Sequence, residues 1–289
     1  MQLSFLKADL GSVVNVSKVA QLSPFRYPGG KTWLVPTIRH WLFRIGYKPK
    51  LLIEPFAGGG IVSLTAALEN LADEILMVEL DDQIASVWHT VLGRNAKWLA
   101  AEISSFDLSY KSAADIIQSR PRSLRQKAFQ TILKNRIFHG GILAEGSGML
   151  KNGENGRGIL SRWYPETLKN RILRIHSLRR KIRFNEGDGI TAIERFANKA
   201  ETIFFVDPPY TAGGKKAGKR LYRYNEIDHD LLFRKIKMIK GDFMLTYDDS
   251  DEVRHLADKY NFPYVRVAMQ NTHHAKMYEL LICSNLKWL

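Results

Sequence analysis

A short pattern of strands, glycine turns and helices between residues 51 and 92 constrains the fold of this chain most. An apolar run at 51–54 is followed by a proline and three consecutive glycines, and apolar residues at helical spacing follow at 61–70. A second apolar run at 74–79 precedes another helical pattern at 83–92. Strands that alternate with helices in this way favour a parallel sheet covered by helices on both faces. We therefore predict an α/β fold with a Rossmann-like sheet.

The middle of the chain, 98–181, differs from the segments on either side of it. It contains helical patterns at 122–135 and 165–180 around a loop at 146–158 that holds five glycines. Strand and helix patterns then return, with strands at 182–184, 203–206, 243–246 and 278–283 and helices at 189–197 and 228–240. We predict one α/β domain, formed by 1–97 and 182–289, that is interrupted by a mostly helical basic insertion at 98–181.

The positive charge of the chain is concentrated in this insertion. The net charge is +14, and residues 120–181 hold 15 Lys and Arg against three acids. A second basic run, at 215–223, contains five Lys and Arg and no acid. Charge that is this concentrated favours a polyanion as the partner over a merely solvated surface.

Several classes of protein are excluded by composition. No apolar run approaches the roughly 20 residues that span a bilayer, and residues 1–20 lack the pattern of a secretory signal peptide. Cys283 is the only cysteine, so the chain cannot form an internal disulfide or a cysteine metal cluster. We expect a cytoplasmic protein with no membrane contact and no metal.

The first candidate site is the segment that follows the strand at 51–54. Glycines at a strand end let the backbone approach a bound nucleotide closely, which makes Glu54, Phe56 and Gly58 candidate cofactor contacts. Glu79 ends the next strand, where an acid accepts hydrogen bonds from ribose hydroxyls. No phosphate-binding Gly-Lys-Ser/Thr loop occurs, which favours a nucleoside over a triphosphate. A plain turn, a packed core phenylalanine and a solvated acid are the alternatives.

The second candidate site is Asp207-Pro208-Pro209-Tyr210, which follows the apolar run at 203–206. Two prolines cannot continue a strand, because they lack N–H donors and have a fixed φ. The segment therefore forms a rigid acidic turn at the edge of the sheet where α/β folds bind ligands. The Asp207 carboxylate and the Pro208 carbonyl can accept from an NH₂ group, and Tyr210 can stack on a planar ring. A coincidental strand-ending turn is the alternative to these three catalytic residues.

Taken together, five segments of the chain resemble the Dam-type (D12 class) DNA adenine-N6 methyltransferases in their α arrangement. They are PFRYPGGK at 24–31, EPFAGGG at 54–60, NRIFHGG at 135–141, DPPY at 207–210 and ELLICSN at 279–285. The resemblance implies a class I methyltransferase sheet that binds S-adenosylmethionine, with 98–181 as the DNA target-recognition domain. It also implies methylation of a flipped-out adenine in double-stranded DNA, and a cognate restriction endonuclease as a possible partner.

The family's cofactor contacts transfer to the residues that match its motifs. Lys31 matches the family's Gly-Gly-Lys lysine, and Tyr27 stands where the family usually has tryptophan. Glu79 matches the acid on the ribose, where Asp is more usual. Asp188 resembles the acid near the cofactor adenine, and Asp207 faces both the cofactor and the target amine. The run at 243–248 departs from the serine-asparagine that is common in the family.

Contacts to DNA are predicted within the basic insertion, at Arg136, Lys151, Asn152, Asn155 and Arg157. Other activities stay open from the sequence: methylation of cytosine N4, methylation of an RNA base amine, or DNA binding without catalysis. Cytosine-C5 methylation is disfavoured, because Cys283 lies in an apolar strand and no Pro-Cys pair occurs.

Overall fold

The computed structural model describes residues 10–27, 29–210, 227–270 and 276–289. Within them, seven strands form one mixed sheet. The strands are β1 (Leu51–Glu54), β2 (Glu74–Glu79), β3 (Ile182–Glu186), β4 (Thr202–Val206), β5 (Phe243–Asp248), β6 (Tyr264–Gln270) and β7 (Lys276–Cys283).

The order of the strands in the sheet is β3-β2-β1-β4-β5-β7-β6. Strands β1 to β5 pair in parallel, whereas β7 is antiparallel to both β5 and β6. Strands β1, β4 and β5 are buried along their whole length, which is typical of parallel strands covered on both faces. The predicted Rossmann-like α/β sheet is confirmed.

Ten α-helices lie in the described part of the chain, and they cover both faces of this sheet. They are α1 (Val35–Arg44), α2 (Ile61–Glu69), α3 (Asp82–Leu92), α4 (Ala96–Ser105), α5 (Tyr110–Gln118), α6 (Leu124–Ile137), α7 (Pro165–Ser177), α8 (Gly189–Phe196), α9 (His229–Ile236) and α10 (Asp251–Lys259). None of these helices is long and apolar enough to cross a membrane.

Each face of the sheet has its own hydrophobic cluster, because successive side chains of a strand point to opposite faces. On β1, for example, Leu52 belongs to the cluster beneath α1–α3, whereas Leu51 and Ile53 belong to the cluster beneath α8–α10. Both faces are therefore packed, and the open space of the fold lies at the ends of the strands.

The insertion packs on the face of the sheet that α1–α3 cover, and its helices contact helices of the α/β domain. Helix α6 packs against α3, and α4 packs against α7. Its buried side chains, such as Leu99, Ile132 and Leu168, belong to the same hydrophobic cluster as Leu52 of the sheet. The division into a catalytic and a target-recognition domain thus stays a prediction, but the hydrophobic core is continuous across it.

Candidate active site

A cavity of about 930 Å³ lies at the carboxyl ends of β1, β2 and β4. This volume is at the upper end of the range for small-molecule sites, roughly 300–1,000 Å³. The cavity wall brings together seven residues that were predicted as catalytic or cofactor contacts: Tyr27, Lys31, Glu54, Phe56, Glu79, Asp188 and Asp207. The strand ends that the sequence marked with acids therefore do meet at one place.

Asp207, directly after β4, is held through one of its two carboxylate oxygens. Lys31 Nζ lies 2.9 Å from Oδ1, and the Thr246 hydroxyl donates to the same atom at 2.7 Å. The Tyr210 hydroxyl also donates to Oδ1, at 3.0 Å. Within the described residues no side chain or backbone group bonds to Oδ2. The carboxylate is therefore fixed in place with one oxygen left to accept from a ligand.

Glu279, on β7, completes this arrangement and was not predicted as a site residue. Its Oε2 lies 3.1 Å from the Tyr210 hydroxyl, which shares its single hydrogen between Glu279 and Asp207, and 3.7 Å from Lys31 Nζ. Burial raises the pKa of Glu279, and the Lys31 ammonium opposes that shift. Glu279 opens the ELLICSN segment that resembles the family's closing strand, which was the signal available in the sequence.

The ring of Tyr210 contacts both Tyr247 and Lys31. One face stacks on Tyr247 with 5.5 Å between ring centroids and an interplanar angle of 23°. The Lys31 ammonium lies over the Tyr210 ring, 4.8 Å from its centroid. Tyr247 is in turn fixed by a 2.6 Å hydrogen bond between its hydroxyl and His229 Nδ1. A planar ligand can thus stack on Tyr210 only if the Lys31 ammonium leaves the ring face.

The glycines after β1 make room for the protein's own side chains. Gly58 has φ +45°, and a Cβ there would lie 2.6 Å from the ring of Tyr27. Gly60 has φ +64°, and a Cβ there would lie 2.5 Å from Met77 and 3.0 Å from Trp88. The sequence interpretation is therefore sharpened: at these two positions the glycine admits an aromatic ring or a methionine beside the loop.

Glu79 is oriented by the backbone around it. Its two oxygens accept from the Gly58 and Asp81 amides, at 2.8 Å and 2.9 Å. Burial raises its pKa to about 7, and the amide hydrogen bonds oppose this shift. Each carboxylate oxygen has a second lone pair, so Glu79 keeps capacity to accept from ligand hydroxyls.

Glu54, at the end of β1, is more deeply buried and is 3% exposed. Its Oε2 accepts from the Ser63 amide at 3.0 Å. The pKa of Glu54 is raised to about 8, chiefly by burial and also by the Asp207 and Glu79 charges, while the Ser63 contacts oppose the shift. Glu54 thus ties β1 to α2 and forms part of the cavity wall.

Asp188 and Phe56 form another part of the cavity wall. Asp188 caps α8, because its Oδ1 accepts from the amide and the hydroxyl of Thr191 at 2.7 Å and 2.8 Å. The Phe56 ring packs on the first turn of α8, where a Cβ at Gly189 would lie 2.8 Å from it. Two acids and an apolar ring around one cavity fit a nucleoside, which presents hydroxyls, an amine and a planar base.

The predicted DNA contacts fall into two groups. Arg136 is 6% exposed, lines the cavity and donates from Nη2 to the Pro24 carbonyl. The other four are exposed in the loop between α6 and α7 and do not line the cavity: Lys151, Asn152, Asn155 and Arg157. The basic run at 215–223 lies outside the described residues.

The strand order and an acid-lined cavity at the strand ends define a Rossmann-like methyltransferase. The sequence matches the D12 class N6 adenine-specific DNA methyltransferases over residues 27–271, and the chain belongs to this family.

Solved structures of other methyltransferases are similar to the chain at low identity. The rRNA methyltransferase aviRa from Streptomyces viridochromogenes is 12% identical with a TM-score of 0.42, and the alignment covers 96% of this chain and 95% of aviRa. The precorrin-6y C5,15-methyltransferase from Geobacter metallireducens GS-15 is 10% identical with a TM-score of 0.31, covering 86% of each chain. No curated protein sequence matches the chain. Likenesses this remote do not bear on the substrate.

Proposed function

We propose that this protein is a site-specific DNA methyltransferase that transfers a methyl group from S-adenosylmethionine to the N6 amine of adenine. The observation that carries this proposal is the fixed carboxylate of Asp207. Three donors converge on its Oδ1, so Oδ2 is left for an amine hydrogen inside a cavity large enough for a nucleoside and a base. Family membership supports adenine in DNA as the target.

The acid-lined wall of the cavity would hold the cofactor. Glu79 would accept from the ribose hydroxyls, Asp188 would lie near the adenine, and Phe56 would supply apolar contact. Tyr27 and Lys31 line the side next to Asp207. When bound, S-adenosylmethionine supplies a methyl group that its sulfonium has already activated, so the protein has to position the amine and needs no strong base.

Asp207 would make the amine a better nucleophile. The nitrogen lone pair of adenine's amine is conjugated with the ring, which weakens it. Hydrogen bonds from the two N–H groups to Asp207 Oδ2 and to the Pro208 carbonyl make that lone pair more available. Because Lys31 and Thr246 hold the carboxylate beforehand, little reorganisation is needed as positive charge develops on nitrogen. After transfer the methylated nitrogen would lose its extra proton to solvent water.

Access of the base requires that it leave the duplex, which costs a few kcal/mol. Stacking on Tyr210 would return part of this, about 1–3 kcal/mol per base in single-strand binders. The Lys31 ammonium would then move off the ring face while keeping its contact with Asp207 Oδ1. Basic residues of 98–181, including Lys151 and Arg157, would hold the DNA backbone, with Asn152 and Asn155 as neutral contacts beside them. Binding therefore weakens with salt.

Expression in a methylation-free host, followed by single-molecule sequencing, tests the proposal. We expect N6-methyladenine at one short sequence with the wild type and unmodified DNA with Asp207→Ala. N4-methylcytosine, methylation of RNA alone, or DNA binding with no methylation of any base would each overturn it. The function implies activity in the cytoplasm, and a restriction endonuclease with the same recognition sequence is the partner to seek.

A further inference from the structure

Four arginines line the cavity on the side formed by the insertion: Arg26, Arg136, Arg162 and Arg171. They come from four separate segments. Arg26 precedes the glycine-lysine turn, Arg136 is in α6, Arg162 ends the 3₁₀ turn Gly158–Arg162, and Arg171 is in α7. We call them the arginine cluster. The acids of the candidate active site line the same cavity.

Asn135 fixes the backbone of Arg26. Its Oδ1 accepts from the Arg26 amide at 2.8 Å, and its Nδ2 donates to the Arg26 carbonyl at 3.0 Å. Asn135 Nδ2 also donates to the Gly141 carbonyl at 2.7 Å. Gly141 has φ +74°, and a Cβ there would lie 2.4 Å from the Arg26 carbonyl oxygen. The segment 135–141 is therefore built around Arg26.

Arg136 and Arg171 both contact the turn that precedes Arg26. Arg136 Nη2 donates to the Pro24 carbonyl, and Arg171 Nη1 donates to the Ser23 carbonyl at 3.0 Å. These two bonds bring the guanidinium groups beside Arg26. Each uses only one nitrogen, and Arg136 Nε is buried without a hydrogen-bond partner in the described part of the chain. A purely structural role for Arg136 leaves that nitrogen unexplained.

The charge of the cluster is largely uncompensated. Arg162 pairs with Glu154, but within the described residues no acid forms an ion pair with Arg26, Arg136 or Arg171. Burial, and then the charges of the other three arginines, lower the pKa of Arg136. An arginine nevertheless stays protonated at neutral pH. A buried arginine surrounded by half-exposed like charges and without a counter-ion is destabilising, and a bound anion would remove that penalty.

We infer that the arginine cluster binds a phosphodiester group of nucleic acid next to the nucleotide whose base enters the cavity. Guanidinium groups suit phosphate, because their planar donors can bond two of its oxygens at once. The single carboxylate of the cofactor would need only one guanidinium group as its counter-charge, so it does not account for several in one place. This inference rests on the proposed function, because that function puts the target base beside Asp207 in the cavity that the arginine cluster lines. It makes the substrate a polynucleotide strand, because a free nucleoside carries no phosphate.

Binding of DNA to charge-neutral variants tests the inference. Arg26→Gln and Arg171→Gln remove members of the cluster, and Arg44→Gln is the matched control because Arg44 is exposed at the end of α1, outside the insertion and the cavity wall. Affinity for a labelled 30-base-pair duplex would be measured by fluorescence anisotropy across a salt series. We expect each cluster variant to bind about tenfold more weakly, with a salt slope shallower by about 0.9. Cluster variants that match Arg44→Gln would overturn the inference.

A second measurement identifies the anion without methyl transfer. Arginine Nε–H signals in ¹⁵N-labelled wild type would be followed by NMR during titration with the dinucleotide dTpdT, with its neutral methylphosphonate analogue, or with methionine. We expect dTpdT alone to shift signals that disappear in Arg26→Gln and Arg171→Gln. Shifts with methionine instead would assign the cluster to the cofactor carboxylate, and no shift with any probe would make it structural. Both results overturn the inference, whereas failure of the proposed function would appear only in the sequencing experiment.

Discussion

The acidic and basic sides of the cavity differ in how their charges are compensated. On the acidic side, Asp207 is bonded by Lys31, Thr246 and Tyr210, and Glu79 is bonded by two backbone amides. On the basic side, three of four arginines have no acid partner within the described residues. The acidic side is thus organised by the protein itself, whereas the basic side gains its counter-charge from a ligand. The two sides should respond differently to the removal of one charged group.

Replacing Asp207 by alanine should have the largest effect on activity. The change removes the acceptor that the protein holds ready for the amine, and loss of one such group lowers turnover by about 10³-fold. DNA affinity should stay near the wild-type value, because the basic side is intact. Transfer of labelled methyl to duplex DNA and anisotropy measure the two quantities. Asp258→Ala, at an exposed acid on α10, is the control, and turnover within tenfold of the wild type would contradict the assignment.

Lys31→Met should destabilise the fold most among the changes considered. Lys31 is 3% exposed and lies between Asp207 and Glu279, so its loss leaves two carboxylates facing each other without a cation. Breaking a buried pair in this way costs about 3–5 kcal/mol in the free energy of unfolding. Urea denaturation measures it, with the exposed Lys287→Met as a control. An unchanged midpoint would show that the ion pair contributes little.

The sequence predicted the acidic side better than the basic side, for a physical reason. Strands β1, β2 and β4 are continuous apolar runs that end in an acid, and parallel strands bring such ends to one edge. Strand β6 and helices α1, α4, α5 and α10 were not predicted individually. Strand β6 is an edge strand with half-exposed residues such as Arg266, so it lacks a continuous apolar run. Glu279 was missed because its role depends on where β7 enters the sheet.

The arginine cluster was out of reach for a different reason. Its members are far apart in the chain, and Arg136 and Arg171 reach Arg26 through their hydrogen bonds to the turn at 23–24. In sequence they belong to a general excess of positive charge, which predicts phosphate contacts at the surface. Arg136 was predicted as a DNA contact, yet its burial and its position in the cavity wall could not be derived from the composition of α6.

Glu279→Gln should separate positioning from binding on the acidic side. The amide oxygen can still accept from Tyr210, but the charge that faces Lys31 is lost. We expect Lys31 to shift relative to Asp207, and misplacement of a reacting group can lower turnover by about 10²-fold. The KM for DNA should not change, and Glu279→Asp should recover part of the rate. A raised KM for DNA with unchanged turnover would show that Glu279 does not position the reacting groups.

Arg136→Met should have the smallest effect and the opposite sign to Lys31→Met. Methionine keeps apolar bulk in α6 and removes a buried charge that has no acid partner in the described residues. Loss of the bond to Pro24 offsets part of the gain, so we expect the free energy of unfolding to rise by about 1 kcal/mol. Urea denaturation of the protein without DNA would measure this change. Destabilisation equal to that of Lys31→Met would mean that the protein itself already balances the charge of Arg136. The acidic and basic sides of the cavity would then not differ in this respect. If stability rises while DNA affinity falls, the arginine is held at a cost to the fold because the ligand requires it.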